Sequence, residues 1–157
     1  MSTAQQLANR LREVILNGTW VANTNYKTQL EGLDYRIANT KVSELNSLAI
    51  LAQHVHYYVH GIINVFENNK LEIRDKYSFD FSPITSQEQW EGFLNTFWKD
   101  TETLANHIEQ LSEDQLHLPF IDEKYGNYLR NVDGMIEHSY YHLGQISLIK
   151  KMISINP

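Results

Sequence analysis

In EHSYYHLGQI, residues 137–146, two histidines stand four positions apart, His138 and His142. On a helix that spacing places them one turn from each other on the same face. The stretch lies inside a longer helical pattern, from about Gly126 to Met152, whose apolar stripe is Val132, Met135, Ile146, Ile149 and Ile153. At about 100° per residue, His142 falls within that stripe and His138 just beside it. Both imidazoles therefore point toward the interior of whatever this helix packs against. A buried imidazole needs hydrogen-bond partners or a metal ion. The simplest alternative to a metal is a pair of core histidines bonded to Tyr, Asn or carbonyl groups.

Three more long helical patterns precede this one. The first runs from about Thr3 to Asn17 on Leu7, Leu11, Val14 and Ile15, with Gly18 as its stop. The second is expected to start near a cap at Ser43 and to run to about Glu67, before Asn68 and Asn69. Its stripe is Leu48, Ala52, Val55, Val59, Ile62, Ile63 and Phe66. The third begins near Ser86, carries Trp90, Phe93, Leu94, Phe97, Leu104 and Ile108, and ends near Leu111. Between the first two, TWVANTN reads as a turn and YKTQLEGLDYRIA as one or two short helices. Ser112 to Gln115 has capping-box spacing and predicts a further short helical turn. Residues 69–85 break the helical period and predict a long ordered connection, of a kind that is often functional in a compact domain. Four amphipathic helices without strand alternation predict an all-α fold, a helix bundle in a single domain over residues 1–157. The long connections leave room for crossovers.

Composition narrows the function classes. The 157 residues include no cysteine, which excludes disulfides, thiolate metal sites and a protein-borne cysteine nucleophile. Formal net charge is −6, and the 13 basic residues are scattered along the chain instead of gathered on one face, which disfavours a nucleic-acid partner. No run approaches the roughly 18 apolar residues of a membrane span, and the N-terminal MSTAQQLANRLREV lacks the apolar core of a signal peptide. A cytoplasmic protein with no membrane partner is the expectation.

A third metal ligand must come from outside the last helix. LAQHVHYYVHGI, residues 51–62, offers His54, His56 and His60. Wheel geometry does not select among them: His56 and His60 flank one side of the apolar stripe, and His54 flanks the other with Tyr58. Ser139 stands where an H-E-x-x-H motif has its glutamate, which argues against a zincin protease. No Glu-x-x-His pair occurs, which argues against a di-iron bundle. Tyr57, Tyr58, Tyr140 and Tyr141 lie beside the histidines and read as core aromatics in preference to acid–base groups. Asp75 and Lys76 stand where a connection lines an entrance, or are simply solvated.

SLAILAQHVHYY and HSYYHLGQI together resemble the DinB/YfiT-like superfamily, and the resemblance covers most of the chain. It implies a four-helix bundle with up-down-down-up topology, usually dimeric, with a nickel or zinc ion on three histidines. The family's apolar-x-x-His-apolar pattern matches Leu51-Ala52-Gln53-His54-Val55, which implies His54 as the ligand alongside His138 and His142, with His56 in reserve. Gln145 reads as a packing residue ahead of a group that orients His142. Leu143 departs from an arginine common at that position, which puts in doubt any anion contact there. The implied function is a metal-dependent enzyme. Its divalent ion would activate a small thiol cosubstrate, as in an S-transferase using a low-molecular-weight thiol, or water, as in a hydrolase. The alternative is a non-catalytic metal-binding or structural protein of the same fold.

Overall fold

The computed structural model describes residues 1–155, so the last two positions of the expected 1–157 domain lie outside the described residues. The chain is all-helical, and among the described residues it forms no strand, only an isolated bridge between Pro119 and Asn127. Four helices are long: α1 (Thr3–Arg12, extended by a π turn over Glu13–Asn17), α4 (Leu48–Asn68), α5 (Gln87–Glu109) and α7 (Tyr128–Ile155). Three are short: α2 (Tyr26–Leu30), α3 (Tyr35–Asn39) and α6 (Glu113–Leu116). No helix is long and apolar enough to cross a membrane among the described residues.

Local chemistry sets the helix ends. Ser2 caps α1 with a complete capping box to Gln5, and Ser112 caps α6 in the same way with Gln115, as its spacing predicts. Gly18 stops the first helix, its N–H donating to the Glu13 carbonyl at 3.0 Å. Ser86 caps α5 by accepting from the Gln89 amide. The start of α4 differs from the sequence reading. Its cap is Ser47, which accepts from the Ile50 amide, whereas Ser43 sits in a left-handed turn at φ 52°. The reason lies in the apolar pattern: Leu48, Ala49, Leu51 and Ala52 are buried, while Glu44 and Leu45 face solvent and have nothing to pack against. Asn69 ends α4 in the left-handed conformation that suits a helix C-terminus.

The long helices pack α1 on α5, α5 on α4, α4 on α7, and α7 back on α1. Their apolar stripes form one buried cluster, with Leu11, Ile15, Trp90, Phe97, Leu104 and Ile136 among its fully buried members. The α2 segment joins it through Tyr26, whose ring meets Phe97 edge-on and whose hydroxyl donates to the Ser139 carbonyl at 2.7 Å.

The connection between α4 and α5 contains one 3-10 turn, Asp75–Tyr77. It lies close against α4 because Gly61 has no side chain. A Cβ there would stand 2.5 Å from the Ile73 side chain. From there residues 74–78 run back along α4 toward His54, with Arg74 bonded to Tyr57, Asp75 to Tyr58 and Ser78 to His54.

Candidate metal centre

The structure brings His54, His138 and His142 together, with one ring nitrogen from each within 4.8 Å of the others. His138 and His142 meet because one turn of α7 separates them, and the α4–α7 contact supplies His54. His54 and His142 are 5% and 6% exposed, and His138 is half-buried.

Two of the three rings are oriented by oxygen acceptors. His54 Nδ1 donates to the Ser78 carbonyl at 2.8 Å, and His142 Nδ1 donates to Gln145 Oε1 at 2.6 Å. Each bond consumes the Nδ1 proton and leaves Nε2 with a free lone pair, the arrangement that metal-binding histidines use. His54 Nε2 and His138 Nε2 are 3.1 Å apart. Ligand nitrogens at about 2.0–2.1 Å from a common ion stand about 3 Å from each other, so this spacing suits shared coordination. Without an ion, His138 Nε2–H donates a hydrogen bond to the free lone pair of His54 Nε2.

Burial holds all three imidazoles neutral. It lowers His54, only partly offset by the Ser78 carbonyl and Asp75. It also lowers His142 against the opposing effect of Gln145. His138 is pushed down to about 4, by burial first and then by repulsion from His142 and His54. Neutral imidazole is the metal-binding form, so the site needs no proton release near neutral pH.

The surroundings come from the α4–α5 connection. Phe79 stacks on His54 with ring centroids 3.9 Å apart. Tyr58 meets His54 and His138 edge-on and donates its hydroxyl to Asp75 Oδ1 at 2.9 Å. Beside His138 opens a cavity of about 680 Å³, whose walls include Tyr58, Ile62, Asp75, Met135 and Arg130.

Several sequence expectations are resolved by this geometry. His56, the reserve ligand, turns away from the cluster, and its Nε2 lies 2.8 Å from Asp100 Oδ2 on α5. His60 is exposed and approaches the same oxygen at 3.3 Å. Gln145 is not simply a packing residue, since it holds the His142 ring. Leu143 is buried in the core, so it makes no anion contact. Ser139 is also buried, its hydroxyl donating to the Met135 carbonyl. Asp75 borders the cavity, while Lys76 rests over the Tyr77 ring.

The tyrosines divide. Tyr58 borders the site, Tyr140 reaches Glu13 at 2.8 Å and is raised to about 12 mainly by burial, and Tyr141 is exposed. Nothing in the sequence marks Ser78 or Phe79 as part of the site. A backbone carbonyl carries no side-chain signal, and a stacking phenylalanine in a loop resembles any other.

No protein-family model, curated protein or solved structure matches this chain, so the functional reading stands on the residues and geometry above.

Proposed function

We propose that this chain is a metalloprotein of the DinB/YfiT-like type. In this reading it is a four-helix bundle with up-down-down-up topology, binds one zinc or nickel ion on His54, His138 and His142, and acts as an S-transferase or hydrolase. The observation that carries the reading is the convergence of three neutral imidazoles, two with their Nδ1 protons already committed, beside a cavity open to a small molecule.

Three neutral ligands leave a divalent ion its full charge and at least one open position, the pattern of catalytic sites. When bound, such an ion supplies Lewis acidity that favours thiolate from a thiol cosubstrate, or hydroxide from water, at neutral pH. The chain's own residues do the rest. Ser78 and Gln145 fix the imidazole tautomers, Phe79 shields the His54 face from water, and Tyr58, held by Asp75, presents a polar edge to the cavity beside His138. The cavity volume of about 680 Å³ falls in the range of small-molecule sites. Absence of cysteine is consistent with a nucleophile that arrives on a low-molecular-weight thiol. The reading further implies a cytoplasmic homodimer.

The test is elemental analysis of protein purified without a histidine tag, beside a His138→Ala/His142→Ala variant, followed by thiol-transfer and hydrolysis assays of the loaded protein. About one equivalent of zinc or nickel at this site, lost in the variant, with thiol- or water-dependent turnover, supports the proposal. Metal at the site without turnover leaves the structural alternative, an ion that only ties α4 to α7. No metal at these histidines, even after reconstitution, sinks both.

A further inference from the structure

On the opposite flank of α4 from His54, a second cluster has its own geometry. His56 and His60 are one turn apart, and both face Asp100 of α5. One nitrogen from each ring and a carboxylate oxygen lie within 4.8 Å of one another. The separations from Asp100 Oδ2 are 2.8 Å to His56 Nε2 and 3.3 Å to His60 Nδ1. Both are close to the spacing of neighbouring ligand atoms around a first-row divalent ion bound at about 2.0–2.2 Å.

The cluster is not an ordinary surface ion pair. The Asp100 and His56 side chains are 19% and 18% exposed, and His56 is wedged edge-on against Phe93 with centroids 5.5 Å apart. The carboxylate therefore has limited access to water and turns to two imidazoles instead. His56 and His60 also line a small apolar pocket of about 220 Å³, with Ile73, Phe81 and Phe93 in its walls. Two histidines and one carboxylate leave open positions on a bound ion, which suits a divalent transition metal better than a closed structural zinc site.

We propose that His56, His60 and Asp100 form a second divalent transition-metal site, joining α4 to α5 and separate from the three-histidine centre. The exposed His60 makes it a readily exchanging site, with its open positions toward the apolar pocket. The two sites share α4 but no ligand, so each is removable without the other.

The experiment uses the full chain stripped with a chelator and titrated with zinc and with cobalt under equilibrium dialysis. Variants are His60→Ala and Asp100→Asn for the second site and His138→Ala/His142→Ala for the first. His60 is exposed, so its removal leaves the core intact; circular dichroism checks this. The expected result is two equivalents in the wild type and one in each variant set. Zinc-induced shifts of the His56 and His60 ring signals in the His138→Ala/His142→Ala protein would accompany it. The proposal is overturned if the wild type binds a single equivalent that His60→Ala retains and His138→Ala/His142→Ala loses, or if it binds none. A single equivalent lost only with His60→Ala supports this site and removes the three-histidine reading instead.

Discussion

The His54 imidazole donates its Nδ1 proton to the carbonyl of Ser78, 24 residues further along the chain, at 2.8 Å. One candidate ligand on α4 is thus aimed by the backbone of the connection that follows that helix. Phe79 then closes over the same ring. Orientation of the site depends on how residues 73–79 lie against α4, and Gly61 gives the Ile73 side chain its place there.

Gly61→Ala places a methyl group 2.5 Å from the Ile73 side chain, so Ile73 must shift and the connection it belongs to is disturbed where it meets α4. The expected outcome is a zinc affinity about 10-fold weaker, the usual cost of losing an outer partner, with helix content unchanged. Competition against a chromophoric chelator measures it. An unchanged affinity would show that the Gly61–Ile73 contact does not govern the position of His54.

Gln145→Ala removes the acceptor 2.6 Å from His142 Nδ1 and frees that ring to take the other tautomer. A fall of about 10–100-fold in metal affinity is expected. The same competition titration reads it. If Gln145 merely packed, affinity would hold and only thermal stability would drop.

How far the sequence could be read follows from which interactions leave a periodic trace. The apolar stripes of α1, α4, α5 and α7 recur every three or four residues, so those helices and their buried faces were predictable. The start of α6 is legible because Ser112 and Gln115 stand at capping-box spacing. The start of α4 was misplaced because Ser43 and Ser47 both offer a cap, and only the onset of burial at Leu48 decides between them. His138 and His142 were paired by a spacing that survives in one dimension. Helical geometry alone leaves His54 and His56 open, because the packing of α7 on one flank of α4 and α5 on the other decides between them; in the sequence only the resemblance singles out His54. Ser78 contributes a carbonyl that every residue type possesses, so nothing in its identity marked it.

Stability of the metal-free protein should depend on pH in a defined window. The three imidazoles are held below their ordinary value of 6.5, His138 at about 4. The unfolded chain takes up protons near pH 6.5 while the folded chain resists them. Their contribution is therefore complete above about pH 6.5 and is lost as pH falls toward about 4. His56 is lowered as well, mainly by burial, and adds to the slope. Urea denaturation across that window should give a decline that is shallower in His138→Gln, where one such group is gone. A wild-type stability that stays flat from about pH 7 to about pH 4.5 would contradict buried, neutral imidazoles.

Tyr26 separates the stability of the fold from the shape of the centre. Its ring is fully buried on a five-residue helix, and its hydroxyl donates at 2.7 Å to the carbonyl of Ser139, which lies between the two α7 histidines. A helix that short has no stability of its own and is held by its packing. Tyr26→Phe keeps the ring and removes one hydrogen bond, for an expected loss of about 1 kcal/mol. Tyr26→Ala also opens a cavity, with an expected loss of about 3–5 kcal/mol. Because the turn of α7 itself spaces His138 and His142, Tyr26→Phe should alter zinc affinity by less than about threefold. Chemical denaturation and zinc competition on the same preparations read the two quantities separately. A large affinity loss in Tyr26→Phe would mean that the α7 backbone is held in place by this bond and that helical spacing alone does not form the centre.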